Sequence, residues 1–291
     1  MKPRFFRIFI IYLFLMFLTI SADMDESIKT PGYREYGSAG DIDGTTIVVS
    51  IFANDANTGW DDPGDEVKEA NINNYINIAA SYIEDNVSAY GKSAAFITDF
   101  KKNDDLKYRF VTDEKLTDND YIDNGDPDSL VWEYIASNID ETSLMEKYDA
   151  DNVIYMLFVD SNEDNTAISC TRTWYDDMPY DSEIVYLFNY DDGYVNGPAV
   201  YAHEMLHTFG APDLYTADSN YNIDDDFVDF AYENMPNDIM LTCSDEVTGD
   251  YLYDSVNNEI GEVTAYYVGL TDHSDIVDKW NLYSSEHPVR R

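Results

Sequence analysis

The sequence predicts an α+β fold in which a mixed, twisted β-sheet carries helices packed on it. Short apolar runs rich in β-branched residues alternate with segments of helical periodicity as far as residue 196, a pattern typical of a sheet covered by helices. Beyond that residue the sequence changes to helices and long acidic loops. With 44% hydrophobic and 15% aromatic residues, the 291-residue chain has enough apolar side chains for a large core, which argues against bulk disorder.

The N-terminal elements are predicted from local patterns. Residues 45–53 form a β-branched run of strand length, and residues 72–83 carry apolar side chains at helical spacing before a stop at Gly91. Residues 94–100 and 106–111 are predicted strands. An aspartate cap followed by Pro127 in the first turn predicts that the next helix begins there. Three further strands are expected, at residues 152–160, 167–175 and 183–190.

The chain is expected to divide into three segments. Residues 1–22 combine three basic residues with an apolar run of 13 residues, which matches a secretory signal peptide cleaved after Ala22. The run is shorter than the roughly 20 residues of a membrane span, although an uncleaved anchor is the alternative. Residues 23–44 are interpreted as a polar leader and residues 45–291 as one domain, because no repeat or linker divides them. The protein is therefore expected to be secreted, free of membranes after cleavage, and monomeric.

Acidic residues dominate the charge, with 58 Asp and Glu against 17 Lys and Arg and a formal net charge of −41. Such a chain repels nucleic acid and anionic membranes, so neither is an expected partner. The acidity fits a solvated surface, calcium binding in acidic loops such as residues 160–165 and 218–229, or a preference for basic substrates. Cys170 and Cys243 permit one disulfide in an exported protein, but their spacing fits no zinc-binding pattern.

The segment "HEMLHTFGAPD", residues 203–213, is the strongest functional signal in the sequence. Gly197 and Pro198 favour a helix from about residue 198 to 209, and Gly210 ends it. On that helix His203 and His207 lie one turn apart on one face, so both imidazoles can reach one metal ion. The turn at Gly210 is expected to bring Asp213 towards the same face, with His273 or an aspartate of residues 222–229 as competing donors.

This motif resembles the extended zinc motif of the metzincin metallopeptidases, HExxHxxGxxH, with Asp in place of the third His. That variant is similar to the one in the snapalysin group of small secreted bacterial proteases. The resemblance implies a zincin-like fold with a mixed sheet, an active-site helix and a C-terminal helical subdomain. It also implies that His203, His207 and Asp213 bind one catalytic Zn²⁺ and that Glu204 is the general base. The expected function is a zinc endopeptidase that acts on a protein or peptide substrate.

The resemblance further implies a methionine turn below the metal and a last helix. Met240 is the candidate for the turn, with an ordinary core methionine as the alternative. Residues 256–270 are the candidate for the helix, with four side chains facing inward: Ile260, Val263, Tyr267 and Val268. A second group to stabilise the oxyanion is left open among three residues: Tyr251, Tyr253 and His273. Two other functions stay open: an acidic binding or surface-interaction protein with a non-catalytic zinc site, and a zinc hydrolase of non-peptide amides.

Overall fold

A six-stranded sheet forms the centre of the protein in the computed structural model, which describes residues 37–116, 127–165, 167–172, 183–191 and 193–283. Its strands are β1 (Gly44–Asn54), β2 (Ala94–Ile97), β3 (Lys107–Val111), β4 (Asn152–Val159), β5 (Cys170–Arg172) and β6 (Ile184–Phe188). A separate two-stranded sheet consists of β7 (Tyr190–Asp191) and β8 (Tyr194–Val195).

Seven α-helices lie in the described ranges. They are α1 (Asp65–Ala89), α2 (Pro127–Asn138), α3 (Glu141–Tyr148), α4 (Pro198–His207), α5 (Asp225–Asn234), α6 (Glu262–Tyr267) and α7 (Asp275–Trp280). Two short 3-10 helices, Asp104–Leu106 and Ser219–Tyr221, complete the described helical structure. The fold is thus α+β with a mixed sheet, as the sequence predicts.

Parallel pairing accounts for most of the large sheet. One edge of β1 pairs with β2 and then with β3, its other edge pairs with β4, and β4 pairs with β6, all in parallel. β5 pairs antiparallel with β6 and ends the strand order. Strands β1 and β4 are almost completely buried, as expected for central parallel strands with both faces covered. Helix α1 packs against β2 and against α4.

The last residues of the predicted leader, 37–43, pack onto the domain. Ala39 and Ile42 are fully buried, and the amide of Ala39 donates to the carbonyl oxygen of Thr208 at 2.8 Å. The amide and hydroxyl of Ser38 both donate to Glu183. These contacts connect this stretch to the C-terminal end of α4 and to the residue before β6.

Most predicted elements are confirmed with shifted ends. The first strand and first helix extend to Gly44–Asn54 and Asp65–Ala89. The strand predicted at residues 94–100 ends at Ile97, because the Asp99 carboxylate accepts the amides of Lys101 and Lys102 and turns the chain. Only Cys170–Arg172 of the strand predicted at 167–175 is seen within the described residues. The aspartate cap before Pro127 lies outside them.

Two predictions of local structure are wrong, and one further helix was not predicted. Residues 256–270 are not one helix, since the stretch before Gly261 is extended and only Glu262–Tyr267 is helical, although the four predicted inward side chains are buried. The acidic segment 218–229 is not a loop throughout, because Asp224 accepts the Phe227 amide and begins α5. Helix α3 begins in the same way at Asp140 and was not predicted. Both unpredicted helices bury only one or two side chains, too few to produce an apolar period in the sequence.

No disulfide joins Cys170 and Cys243, both of which lie in described segments. Among the described helices none has the length and apolar character needed to cross a membrane. The predicted signal peptide, residues 1–22, and residues 23–36 of the predicted leader lie outside the described residues.

Candidate metal centre

Helix α4 places two imidazoles side by side in the interior. Pro198 occupies its first turn after the extended Gly197, and the helix ends at His207. His203 is buried and His207 is partly buried, with ring centroids 4.7 Å apart and their planes nearly perpendicular. Their Nε2 atoms are 3.1 Å apart. Both nitrogens therefore face one point beside the helix.

The turn at Gly210 brings Asp213 to the same point. Gly210 has a φ of 98°, a left-handed conformation that glycine adopts at little cost, and its amide donates to the carbonyl oxygen of His207. The chain then reverses, and Asp213 Oδ1 lies 3.2 Å from Nε2 of His203 and 3.2 Å from Nε2 of His207. Three donor atoms thus form a nearly equilateral triangle.

Backbone carbonyls determine which imidazole nitrogens carry protons. Nδ1 of His203 lies 2.8 Å from the carbonyl oxygen of Ile239, and Nδ1 of His207 lies 2.7 Å from that of Ala211. A carbonyl oxygen only accepts hydrogen bonds, so in the neutral rings both Nδ1 atoms carry the hydrogen and both Nε2 atoms present a lone pair. Metal-ligating histidines are usually held by such a bond from their other nitrogen.

The triangle fits a zinc ion. Atoms about 2.0–2.1 Å from one tetrahedral zinc ion lie about 3.3 Å from each other, close to the spacing of these three donors. Asp213 Oδ1 is buried and has no hydrogen-bond partner among the described residues, a costly state for a carboxylate oxygen unless a cation lies beside it. Two neutral imidazoles with the carboxylates of Asp213 and Glu204 carry a charge that balances a divalent ion.

The electrostatics of the protein around the triangle favour positive charge. Burial alone lowers the pKa of His203, but the nearby Cys243, Asp213 and Glu204 raise it well above the usual value. Burial likewise lowers the pKa of His207, and the Asp213 carboxylate outweighs it and raises the pKa. Burial raises the pKa of Asp213, yet the two imidazoles bring it below its usual range. A cation between these side chains is therefore favoured.

Glu204 forms a second possible set with the two histidines. One oxygen of its buried carboxylate lies within 4.8 Å of their ligand atoms. Oδ1 of Asp213 lies 3.2 Å from both nitrogens and has no hydrogen bond among the described residues, whereas Oε2 of Glu204 accepts from the Thr171 hydroxyl at 2.9 Å. We therefore assign Asp213 to the candidate ligand set and leave Glu204 beside it, as the sequence predicts.

The 238–241 turn holds the site through two backbone contacts. The Ile239 carbonyl holds His203, and the carbonyl of the buried Met240 accepts the amide of Leu214, next to Asp213. Asp238, only 2% exposed, braces the turn: its carboxylate accepts the Met240 amide at 2.8 Å, the Gly261 amide at 3.1 Å and the Thr264 hydroxyl. The turn thus connects α6 to both sides of the triangle.

Tyr215 is a site residue that the sequence reasoning missed. Its ring lies roughly parallel to that of His203 with centroids 6.3 Å apart, and its hydroxyl lies within hydrogen-bonding reach of Asp213. Partial burial, with the charge of Asp213, raises the pKa of its phenol, which therefore stays protonated. Its position two residues after the predicted third ligand was the signal that could have identified it.

The other sequence candidates lie in different contacts. Tyr253 donates to the Val195 carbonyl and packs against Tyr75, while the ring of Tyr251 packs against Tyr194. His273 is exposed and bridges Asp275 and Asp278 on α7, so it does not compete with Asp213. Two aspartates near the acidic run cap helices instead: Asp218 and Asp224.

No protein-family model matches the chain, and no curated protein matches it. The resemblance to the metzincins therefore depends on the motif residues and on their geometry alone.

We expect Asp213→Ala to reduce zinc affinity at least about 100-fold, because one of three ligands is lost while both imidazoles remain. Asp213→His should retain one zinc per chain, since an imidazole nitrogen is also a good zinc ligand. Competition with a chromophoric chelator measures both affinities. Asp272→Ala, at an exposed aspartate, is the matched control. Unchanged zinc affinity in Asp213→Ala would remove Asp213 from the ligand set.

The raised pKa of Asp238 leads to a second prediction, which concerns the pH dependence of stability. Burial raises its pKa from an ordinary 3.8 to about 6, against the opposing effect of its hydrogen-bond donors. From pH 4 to 6 the folded protein binds a proton here that the unfolded chain has released, so this group's contribution to stability is lost as the pH rises. The full shift corresponds to at most about 3 kcal/mol.

We therefore expect the free energy of unfolding of Asp238→Asn, relative to the wild type, to rise by up to about 3 kcal/mol between pH 4 and pH 7. Urea denaturation in the presence of a chelator measures it without a contribution from metal binding. Asp272→Asn is the exposed control and should follow the wild type. A difference between Asp238→Asn and wild type that does not change with pH contradicts the prediction.

Proposed function

We propose that the protein is a secreted, zinc-dependent endopeptidase in which Glu204 is the general base. The observation that carries the proposal is the convergence of His203 Nε2, His207 Nε2 and Asp213 Oδ1 to within 3.1–3.2 Å of one another, with the Glu204 carboxylate beside them. Three protein ligands leave one position of a tetrahedral ion open, which is the arrangement of catalytic zinc sites.

These residues would hold a zinc ion that, when bound, would lower the pKa of a water to about 7 and polarise a carbonyl oxygen. The chain supplies the remaining chemistry. Glu204 accepts a proton from the attacking water and delivers it to the departing amine of the scissile peptide bond. Its carboxylate is buried, so little solvent competes for that proton. The Nδ1 hydrogen bonds to Ile239 and Ala211 hold the two imidazoles in place during the reaction.

Tyr215 is suited to stabilise the oxygen of the attacked carbonyl. Its phenol is protonated and reaches Asp213, and it lies on the exposed side of His203 with 45% of its surface accessible. A donor at such a place stabilises the negative charge that develops on the carbonyl oxygen in the transition state. We therefore propose Tyr215 as the group that stabilises the oxyanion, in place of Tyr251, Tyr253 and His273.

The proposal includes a metzincin-type fold for this protein. The zinc motif on α4, the turn containing Met240 and the later helices α6 and α7 occur in the order that metzincins show. These features, together with the motif, support a metzincin-type fold with the Asp variant of the third ligand. Peptide substrates and secretion follow from the same resemblance and from the apolar run at residues 8–20.

One contact favours a second candidate, a binding protein with a closed, non-catalytic zinc site. The Cys243 side chain lies within hydrogen-bonding reach of His203. A thiolate there would be a fourth protein ligand, and four-ligand zinc sites are structural. The endopeptidase requires Glu204 as its base, whereas the closed site requires Cys243 as a fourth ligand.

We expect Glu204→Gln to lower kcat on a peptide substrate by at least about 1000-fold while one zinc per chain is retained, because the base is lost and the ligands are not. Hydrolysis of casein and of a quenched fluorescent peptide, with and without a chelator, measures the activity. Turnover close to wild type in the zinc-loaded variant would contradict the role of Glu204.

Cys243→Ser separates the two candidates. An endopeptidase with three ligands keeps its zinc and its activity within about threefold, whereas a closed site loses zinc when its thiolate ligand is removed. Zinc content and hydrolysis are measured on the same preparation as for Glu204→Gln.

A further inference from the structure

We propose that Thr171 is a positioning residue that orients the carboxylate of the general base Glu204. The inference rests on the proposed function. Thr171 lies in β5, the antiparallel strand at the end of the sheet order, 33 residues before Glu204 in the sequence. Neither the zinc motif nor its spacing includes this residue.

Thr171 contacts Glu204 at two places. Its Oγ1 lies 2.9 Å from Oε2 of the Glu204 carboxylate and 2.8 Å from the backbone oxygen of the same residue. A hydroxyl has one hydrogen and two lone pairs, so Thr171 can donate to either oxygen and can also accept. Thr171 is partly buried and Glu204 is buried, so little water competes for these bonds.

The two contacts fix the orientation of the carboxylate. The Thr171 hydroxyl donates to Oε2 of Glu204 at 2.9 Å. The backbone oxygen of Glu204, 2.8 Å from the same hydroxyl, keeps Thr171 next to this turn of α4. The carboxylate is thus held in one orientation, from which it can act on the attacking water.

Strand β5 fixes the hydroxyl in place. Thr171 is paired with Val185 of β6 in the antiparallel ladder, and β6 is a fully buried strand of the sheet. A second threonine, at the C-terminal end of α4, also donates its hydroxyl to a backbone oxygen of that helix. The buried Thr208 donates to the backbone oxygen of Met205 at 2.7 Å. Thr208 therefore provides a matched control.

The test compares Thr171→Val, Thr171→Ser and Thr208→Val in the zinc-loaded protein. We expect Thr171→Val to lower kcat about 10- to 100-fold, with KM and zinc content within about threefold of wild type. Calorimetry with acetohydroxamate is a readout without turnover, because a hydroxamate bound to the zinc would also form a hydrogen bond with the carboxylate that Thr171 orients. Its binding should weaken about tenfold in Thr171→Val.

Thr171→Ser restores a hydroxyl at the same place, and Thr208→Val removes one that does not touch the carboxylate, so both should stay within about threefold of wild type in each readout. The proposal is overturned if Thr171→Val matches wild type, or if Thr171→Ser or Thr208→Val is as impaired as Thr171→Val. A zinc-loaded wild type that hydrolyses no peptide overturns the endopeptidase, and the hydroxamate binding then decides the role of Thr171 by itself.

Discussion

Two hydrogen bonds from imidazole nitrogens to backbone carbonyls organise the rest of this site. Nδ1 of His203 and Nδ1 of His207 donate to carbonyl oxygens, which leaves both Nε2 atoms with lone pairs directed at one point. The two Nε2 atoms are 3.1 Å apart, so their lone pairs repel each other, and the oxygen of Asp213 adds a negative charge at the same place. The arrangement is stable only with a cation or a proton between the donors, which explains why the pKa values there shift in favour of positive charge.

The buried sheet provides the rigidity that such a site needs. β1 and β4 are covered on both faces. Tyr201 of α4 packs against Phe158 of β4 and against Tyr75 of α1, so α4 is held by the sheet and by α1. Helix α4 is buried along nearly all its length, so its two histidines cannot move independently. On the other side, Asp238 connects the 238–241 turn to α6, which fixes the carbonyl that holds His203. Catalytic sites supported by packed elements keep their geometry more closely than sites on loops.

A small part of the acidic surplus is neutralised by ion pairs. Several of the few basic side chains form ion pairs, such as Lys68 with Asp65 and Asp160, and Lys147 with Asp105. Glu69 is buried and is paired with two cations of β3, Lys107 and Arg109. The pairs of Lys68 and Lys147 involve exposed lysines, and exposed pairs add little stability. With 17 basic against 58 acidic residues, most carboxylates have no basic side chain to pair with, and the chain is strongly negative.

The sequence by itself determined the parts of the site that depend on neighbours along the chain. The four-residue spacing of His203 and His207 places both on one face of a helix, and Gly210 allows the reversal that brings Asp213 to them. Those contacts span no more than ten residues and follow from backbone geometry. Only the tertiary structure decided that Thr171 would meet Glu204 and that the Ile239 carbonyl would hold His203, since these contacts span 33 and 36 residues. Their formation depends on how the sheet, α4 and the 238–241 turn pack, and no local pattern of residue types encodes that packing. The same reason explains why α3 and α5 were not predicted, because side-chain caps and a few long-range contacts stabilise them rather than an apolar period.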